Sequence, residues 1–256
     1  MRHPVFAANW KMNQAPADAK AFVRHFLDYF PRHQDRTVLI FPSALTLHAV
    51  TEALKDRSDI QVGVQNIHWE DQGAFTGENS APIARAAGAK YTLVGHSERR
   101  HLFGETDAET GKKTAAAVRA GLTPLVCVGE TLAQREAGET ESVVLRQLRA
   151  ALASIDAHHI GSSLIAYEPV WAIGTGKTAS PADAGTVHAL IRAELRSLTG
   201  EREAAVPILY GGSVNSGNAG ALLTSPNVDG VLVGGASLDA DGWASIVRTS
   251  ITPHGT

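Results

Sequence analysis

The chain has 256 residues, of which 44% are hydrophobic, and its formal net charge at pH 7 is −3. This composition suffices for a large core, and the lack of a basic run argues against a nucleic-acid partner. No apolar segment approaches the length of a membrane span, and the apolar start at 5–8 is too short for a signal peptide, so we expect no membrane role. A single cysteine, Cys127, permits no internal disulfide, and we expect a cytoplasmic protein.

Eight short apolar runs alternate with segments of helical periodicity from one end of the chain to the other. Each run is rich in Val, Ile, Leu and Ala, which is typical of parallel strands covered on both faces. The predicted strands are 5–10, 37–41, 60–64, 91–94, 123–128, 164–168, 207–210 and 230–233.

Helix-start signals stand between the strands. Thr106 with Glu109, and Thr131 with Gln134, have the spacing of capping boxes, and Ser180 precedes a proline at the first helical position. The predicted helices include 17–29, 45–54, 107–120 and 182–198. Strand and helix alternating eight times without a flexible linker predict an α/β protein, one closed (β/α)8 barrel domain over 1–256. An open doubly wound sheet is the competing architecture.

In such a barrel the active site lies at the carboxyl ends of the strands. The sixth strand ends in a lone carboxylate, Glu168, followed by the apolar residues 170–173 and then by Gly174 and Gly176, a composition typical of a lid above a base. The letters GTGKT at 174–178 resemble part of a nucleotide P-loop. Trp171 stands where that motif needs its first glycine, and no strand leads directly into a dinucleotide-binding turn.

Polar residues close the first and fourth strands. Asn9 and Lys11 are two positions apart and should face the same way, with Trp10 facing the opposite way. His96 begins a short turn whose backbone N–H groups we expect to face the imidazole and to keep it neutral. Glu98 is the expected ion-pair partner of Lys11 or of a neighbouring arginine.

The fifth strand ends with Cys127 and, after it, Glu130; we interpret the first as a packing residue and the second as a scaffold carboxylate. Glycine pairs follow strands seven and eight, at 211–212 and 234–235. Backbone amides freed by such pairs can converge on an anion, and the loops after these two strands are where a phosphate commonly binds in a barrel.

Together these groups predict proton abstraction beside the carbonyl of a small phosphorylated sugar. Glu168 would take the carbon-bound proton, while His96 and Lys11 would stabilise the enediolate oxygen, so no cofactor is expected. The eleven histidines are scattered, and no metal-ligand spacing occurs among them, so no metal is expected either.

Seven blocks, in order along the chain, resemble the triosephosphate isomerase family. They are ANWKMN (8–13), GAFTGE (73–78), GHSERR (95–100), CVGE (127–130), AYEPVWAIGTGKT (166–178), YGGSV (210–214) and GVLVGGASL (230–238). The resemblance implies a TIM barrel that interconverts dihydroxyacetone phosphate and glyceraldehyde 3-phosphate in glycolysis and gluconeogenesis. It implies Asn9, Lys11, His96 and Glu168 as the catalytic set. It also implies phosphate binding by amides at Gly174, Ser213, Gly234 and Gly235, and we expect Leu232 to line the substrate site.

The segment from Gln65 to Glu78 is a long loop after the third strand. The resemblance implies that it inserts into a second copy of the chain, with Thr76 reaching the other active site, and therefore implies a homodimer. Three other functions stay open: an isomerase of a four-carbon sugar phosphate, a Schiff-base aldolase, which would need a barrel lysine where Glu168 stands, and a catalytically silent binding protein.

Overall fold

A computed structural model of the chain describes residues 3–173 and 179–250. Eight parallel strands close into a barrel, each paired with its neighbour in sequence and the last paired with the first. The strands are β1 (Val5–Asn9), β2 (Thr37–Phe41), β3 (Ile60–Val64), β4 (Tyr91–Val94), β5 (Thr123–Val128), β6 (Leu164–Tyr167), β7 (Ile208–Tyr210) and β8 (Gly230–Val233). The predicted closed (β/α)8 barrel is therefore confirmed, and the open doubly wound sheet is excluded. That it forms one domain over 1–256 stays a prediction.

Helices of very different lengths connect the strands. They are α1 (Pro16–Tyr29), α2 (Leu47–Ala53), α3 (Ala81–Ala86), α4 (Ser97–Leu102), α5 (Asp107–Arg119), α6 (Leu132–Glu136), α7 (Thr140–Leu152), α8 (Ala157–Gly161), α9 (Pro181–Thr199), α10 (Ala219–Leu223) and α11 (Ala240–Val247). Short 3-10 turns follow β6 and β8, at Val170–Ala172 and Gly235–Ser237, and a third follows α9 at Gly200–Ala205. The four predicted helices with stated bounds match α1, α2, α5 and α9 to within two residues at each end.

Three helix starts form the predicted caps. In each, a hydroxyl at the N-cap accepts a hydrogen bond from the backbone N–H three residues on, and the side chain of that third residue accepts the N-cap N–H in return. The three pairs are Thr106–Glu109, Thr131–Gln134 and Ser180–Asp183. Each cap contributes about 1 kcal/mol to its helix, so local sequence alone fixes where these helices begin.

Alternation along the strands separates two layers of packing. Residues facing inward form one apolar cluster that fills the barrel, while residues facing outward pack with the helices in a larger cluster. The inner cluster contains Val5, Ala7, Leu39, Phe41, Leu93, Leu125, Cys127, Leu164, Ala166, Leu209 and Leu232. At β3 the inner space is taken by the Phe41 ring, because a Cβ at Gly63 would lie 2.4 Å from Phe41 Cε1. The barrel interior is thus a packed core.

Candidate active site

A cleft of about 370 Å³ opens at the carboxyl ends of the strands. Eight of the ten predicted site residues line it: Asn9, Lys11, His96, Glu168, Ser213, Leu232, Gly234 and Gly235. Glu98 lies in an adjoining cleft that shares Asn9, Lys11 and His96 with the first. Gly174 falls outside the described residues.

Glu168 follows β6 directly and is only 2% exposed. Its Oε2 accepts a hydrogen bond from the Ser97 backbone N–H at 2.8 Å, and its Oε1 lies 2.9 Å from His96 Nε2. Two glycines leave room for it: a Cβ at Gly129 would lie 1.7 Å from the Glu168 carbonyl oxygen, and one at Gly211 would lie 2.9 Å from Glu168 Cγ. Backbone and side chain of this residue are therefore both tightly enclosed.

The charge state of Glu168 follows from its neighbours. Burial raises the pKa of the carboxyl, but the facing His96 ring, the Ser97 N–H and the Lys11 ammonium lower it by more, so the pKa lies below its usual value. The carboxyl is therefore ionised at neutral pH, as a general base must be.

His96 is the N-cap of α4, and its ring receives two kinds of contact. Nδ1 accepts a hydrogen bond from the Glu98 backbone N–H at 3.3 Å, which requires an unprotonated Nδ1 and agrees with the predicted role of the turn. Nε2 faces Glu168 and also lies 3.2 Å from Asn9 Nδ2. Burial lowers the pKa of His96, but the Glu168 carboxylate raises it by more, so the net pKa is above its ordinary value in this arrangement. While Glu168 stays in contact, its carboxylate therefore favours the protonated ring, against the expectation that His96 is neutral.

Lys11 and Asn9 are held by a local turn. Lys11 has a positive φ of 52°, which is uncommon for a residue with a side chain, and its backbone N–H donates to Asn9 Oδ1 at 3.0 Å. Lys11 Nζ lies 2.6 Å from Glu98 Oε1, which is the predicted ion pair. Trp10 points the other way, into the outer cluster, where its indole N–H donates to the Ser237 carbonyl at 3.1 Å.

The glycine pairs line the same cleft. Gly212 is required by packing, because a Cβ there would lie 2.2 Å from the Tyr210 hydroxyl oxygen. At Gly235 no neighbouring atom comes within 4 Å of an added Cβ, and at Gly234 the nearest is Lys11 Cε at 3.3 Å. Packing against other residues therefore does not account for Gly235, and its backbone is left open to the cleft.

Comparison with known proteins gives one consistent result. The family model described as triosephosphate isomerase matches residues 4–250. A triosephosphate isomerase of Solibacter usitatus is 48% identical over 97% of this chain and 100% of the relative, and one of Moorella thermoacetica is 49% identical over 97% and 99%. The crystal structure of triosephosphate isomerase from Bartonella henselae superimposes with a TM-score of 0.87, at 38% identity, over 97% of this chain and 99% of that one.

The chain belongs to the triosephosphate isomerase family. The resemblance found in the seven sequence blocks is thereby confirmed. The relatives reported above all carry the triose name, so the four-carbon alternative is not favoured.

At the end of β5, Cys127 and Glu130 have the surroundings expected of a packing residue and of a scaffold carboxylate. Cys127 is fully buried in the inner cluster, and burial, reinforced by the nearby Glu168 carboxylate, raises the pKa of its thiol well above the ordinary range. It packs as a small apolar residue and is no nucleophile. Glu130 is also buried, and its Oε1 accepts hydrogen bonds from the Tyr167 hydroxyl and from Trp171 Nε1, both at 3.0 Å, as expected of a scaffold carboxylate.

Ile173, at the end of the predicted apolar lid, lines the cleft. Sequence reasoning missed four other groups: Val214, Asn215 and Ala236 also line the cleft, and the Ser97 N–H holds Glu168. The turn after β4 was the available signal for Ser97, but its amides were assigned to the imidazole alone.

Among residues 3–173 and 179–250, no group of three or more His, Cys, Asp or Glu side chains is arranged to hold a metal ion. No helix in that part of the chain has both the length and the apolar character needed to cross a membrane.

Proposed function

We propose that this member of the triosephosphate isomerase family interconverts dihydroxyacetone phosphate and D-glyceraldehyde 3-phosphate, as a step of glycolysis and gluconeogenesis. One observation carries the proposal: an ionised, enclosed carboxylate, Glu168, shares a cleft with an imidazole, an ammonium and glycine-lined loops. A base for a C–H proton, donors for an oxyanion and amides for a phosphate are the groups that this reaction needs.

In the proposed reaction Glu168 removes the proton from the carbon next to the carbonyl. The C–H electron pair forms the C=C bond of an enediolate, and the negative charge moves to the former carbonyl oxygen. His96 Nε2 and Lys11 Nζ stabilise that oxygen, and Asn9 Nδ2, 3.2 Å from His96 Nε2, supplies a further N–H donor beside them. A proton then passes from the hydroxyl oxygen of the enediolate to its charged oxygen, and Glu168 returns the carbon-bound proton to the adjacent carbon, which completes the isomerisation. No electrons are gained or lost overall, so no cofactor is needed.

Glu168 must exchange partners during this cycle. In the structure its two oxygens are taken by Ser97 and His96, so the base reaches a substrate carbon only by releasing them. Once the carboxylate leaves His96, the larger of the two carboxylate influences that raise the pKa of the ring is lost and only Glu98 still raises it, while burial and the Lys11 ammonium favour the neutral imidazole.

The phosphate of the substrate supplies binding energy remote from the reacting carbons. We assign it to the amides of Ser213, Gly234, Gly235 and Gly174, with Leu232 as an apolar wall. Holding the ester firmly also suppresses its elimination from the enediolate.

The test is turnover of glyceraldehyde 3-phosphate by the purified protein, coupled to reduction of dihydroxyacetone phosphate, beside the same assay with a four-carbon aldose phosphate. We expect the triose to be used with a kcat/KM at least about 100-fold higher, since one additional hydroxymethylene must fit an enclosed cleft. Turnover of the tetrose alone, or of neither, would overturn the proposal.

We also propose that the chain is a homodimer formed through the loop from Gln65 to Glu78. A second cleft, of about 330 Å³, is lined by both ends of that loop and by Met12 and Phe103, which are 95% and 70% exposed. Large exposed apolar side chains around a cleft are typical of an interface. The cleft also contains Lys11, His96 and Glu98, so an inserted loop would reach the catalytic groups.

Sedimentation equilibrium tests the dimer. The native chain should sediment at twice the mass of one chain, and Phe103→Asp should shift it toward the monomer, because a charge would be buried against the partner's loop. Leu198→Asp, on the exposed surface of α9, is the control and should leave the mass unchanged. A native monomer would refute the assembly. We place the enzyme in the cytoplasm, where its proposed substrates are metabolised.

A further inference from the structure

Strand β5 extends beyond its neighbour β4. On the side of β4, the last paired residues are Val94 and Val126, whereas on the side of β6 pairing continues to Val128 and Tyr167. Because backbone groups of alternate residues in a strand face opposite neighbours, the groups of Cys127 and Gly129 that face β4 need other partners.

Side chains from helices supply those partners. Arg100 Nη2 of α4 donates to the Cys127 carbonyl at 3.3 Å. Gln147 of α7 forms hydrogen bonds with both backbone groups of Gly129. The Gly129 N–H donates to Gln147 Oε1 at 2.8 Å, and Gln147 Nε2 donates to the Gly129 carbonyl at 3.2 Å. The amide of Gln147, only 5% exposed, thus pairs with Gly129 as the next residue of a β-strand would.

Gly129 is also the point where β5 contacts the backbone of Glu168. The residues on either side of it bond to the β6 end: the Glu168 N–H donates to the Val128 carbonyl at 2.7 Å, and the Val170 N–H donates to the Glu130 carbonyl at 3.1 Å. A Cβ at Gly129 would lie 1.7 Å from the Glu168 carbonyl oxygen, so the backbone segments at Gly129 and Glu168 are in tight contact. A displacement of Gly129 therefore displaces Glu168.

We propose that Gln147 is a positioning residue for Glu168: its side-chain amide replaces the missing β4 neighbour of Gly129 and fixes the peptide against which the base is seated. This inference rests on the proposed function, in which Glu168 takes the substrate proton. Gln147 lies on an outer helix and does not line the cleft, so its effect should reach the reaction only through the location of the carboxylate.

The test is Gln147→Met, which keeps the length of the side chain and removes both hydrogen bonds. We expect kcat to fall by roughly 10- to 100-fold, since a catalytic group misplaced by about 1 Å costs on the order of 100-fold. KM should stay within about two-fold, and the inhibition constant of inorganic phosphate should not change, because both hydrogen bonds that the variant removes go to Gly129.

Leu148→Ala is the control. Leu148 is the adjacent residue of α7 and is fully buried. Its truncation leaves a cavity and should lower the unfolding temperature without removing a bond to Gly129. Its kcat should be native below its unfolding temperature. A native kcat in Gln147→Met, or an equal loss in Leu148→Ala, would overturn the inference. If instead Glu168→Gln kept its turnover, the proposed function itself would fail, whatever Gln147→Met did.

Discussion

Shortening the base by one methylene is the most direct probe of the site. Glu168→Asp keeps the charge and withdraws the carboxylate by about 1.5 Å. The hydrogen bonds to the Ser97 N–H and to His96 Nε2, now 2.8 and 2.9 Å, would both stretch beyond the range of a hydrogen bond unless the backbone moved. The backbone cannot follow, because the Glu168 carbonyl is already in tight contact with Gly129.

The same withdrawal lengthens the approach to the carbon-bound proton. Since misplacement by about 1 Å costs on the order of 100-fold, we expect kcat to fall at least that far, which corresponds to about 2.7 kcal/mol of transition-state stabilisation. KM should change little, because the phosphate is held by other loops.

The assay is steady-state turnover of glyceraldehyde 3-phosphate over a range of substrate concentrations, with thermal unfolding measured on the same preparations. Glu168→Gln is the matched variant: it keeps the length and removes the ionised oxygen, so it should be less active than Glu168→Asp. If Glu168→Asp retained a kcat within about three-fold of native, Glu168 would not be the base, and the assignment of the cleft would have to change.

Two other perturbations test the surroundings of the site. Gly129→Ala should lower both the unfolding temperature and kcat, because the new methyl group would overlap the Glu168 carbonyl. The control, Gly220→Ala, should lower neither, because its Cβ would make an ordinary 3.6 Å contact. Equal effects of the two variants would contradict the packing argument. Burial lowers the pKa of His188 from 6.5 to about 4, despite its hydrogen bond to the Asn227 carbonyl. Between those pH values the unfolded chain binds a proton that the native state does not, so the native state loses stability as pH falls. The full loss is about 3 kcal/mol. In urea titrations from pH 7 to pH 4, His188→Gln should therefore show a shallower loss of stability than the native chain, and parallel curves would refute the assigned burial effect.

The sequence predicted the strands of this barrel to within one residue at each end. Strands covered on both faces are continuously apolar, and each ends where a residue such as Asn9 or Glu168 interrupts the run. Because the fold gathers all carboxyl ends at one rim, the polar residues and glycine pairs at those ends predict most of the residues that line the cleft.

What could not be predicted depends on contacts between distant segments. The Ser97 N–H bonds a carboxylate 71 positions away, and Gln147 serves Gly129 because β4 stops short of β5. The left-handed backbone of Lys11 is a further case. Such details depend on the relative lengths of neighbouring strands and on the path of each loop, which no local pattern encodes.

Pairing of the first strand with the eighth has a consequence for synthesis. Val5 aligns with Gly230, and the Trp10 indole reaches a carbonyl 227 positions later. A nascent chain therefore leaves the ribosome with β1 as an open sheet edge until β8 emerges, and such edges are prone to pair with other chains. Release of the final segment is thus the event that closes the ring, and a chain ending before β8 would keep two reactive edges for its lifetime.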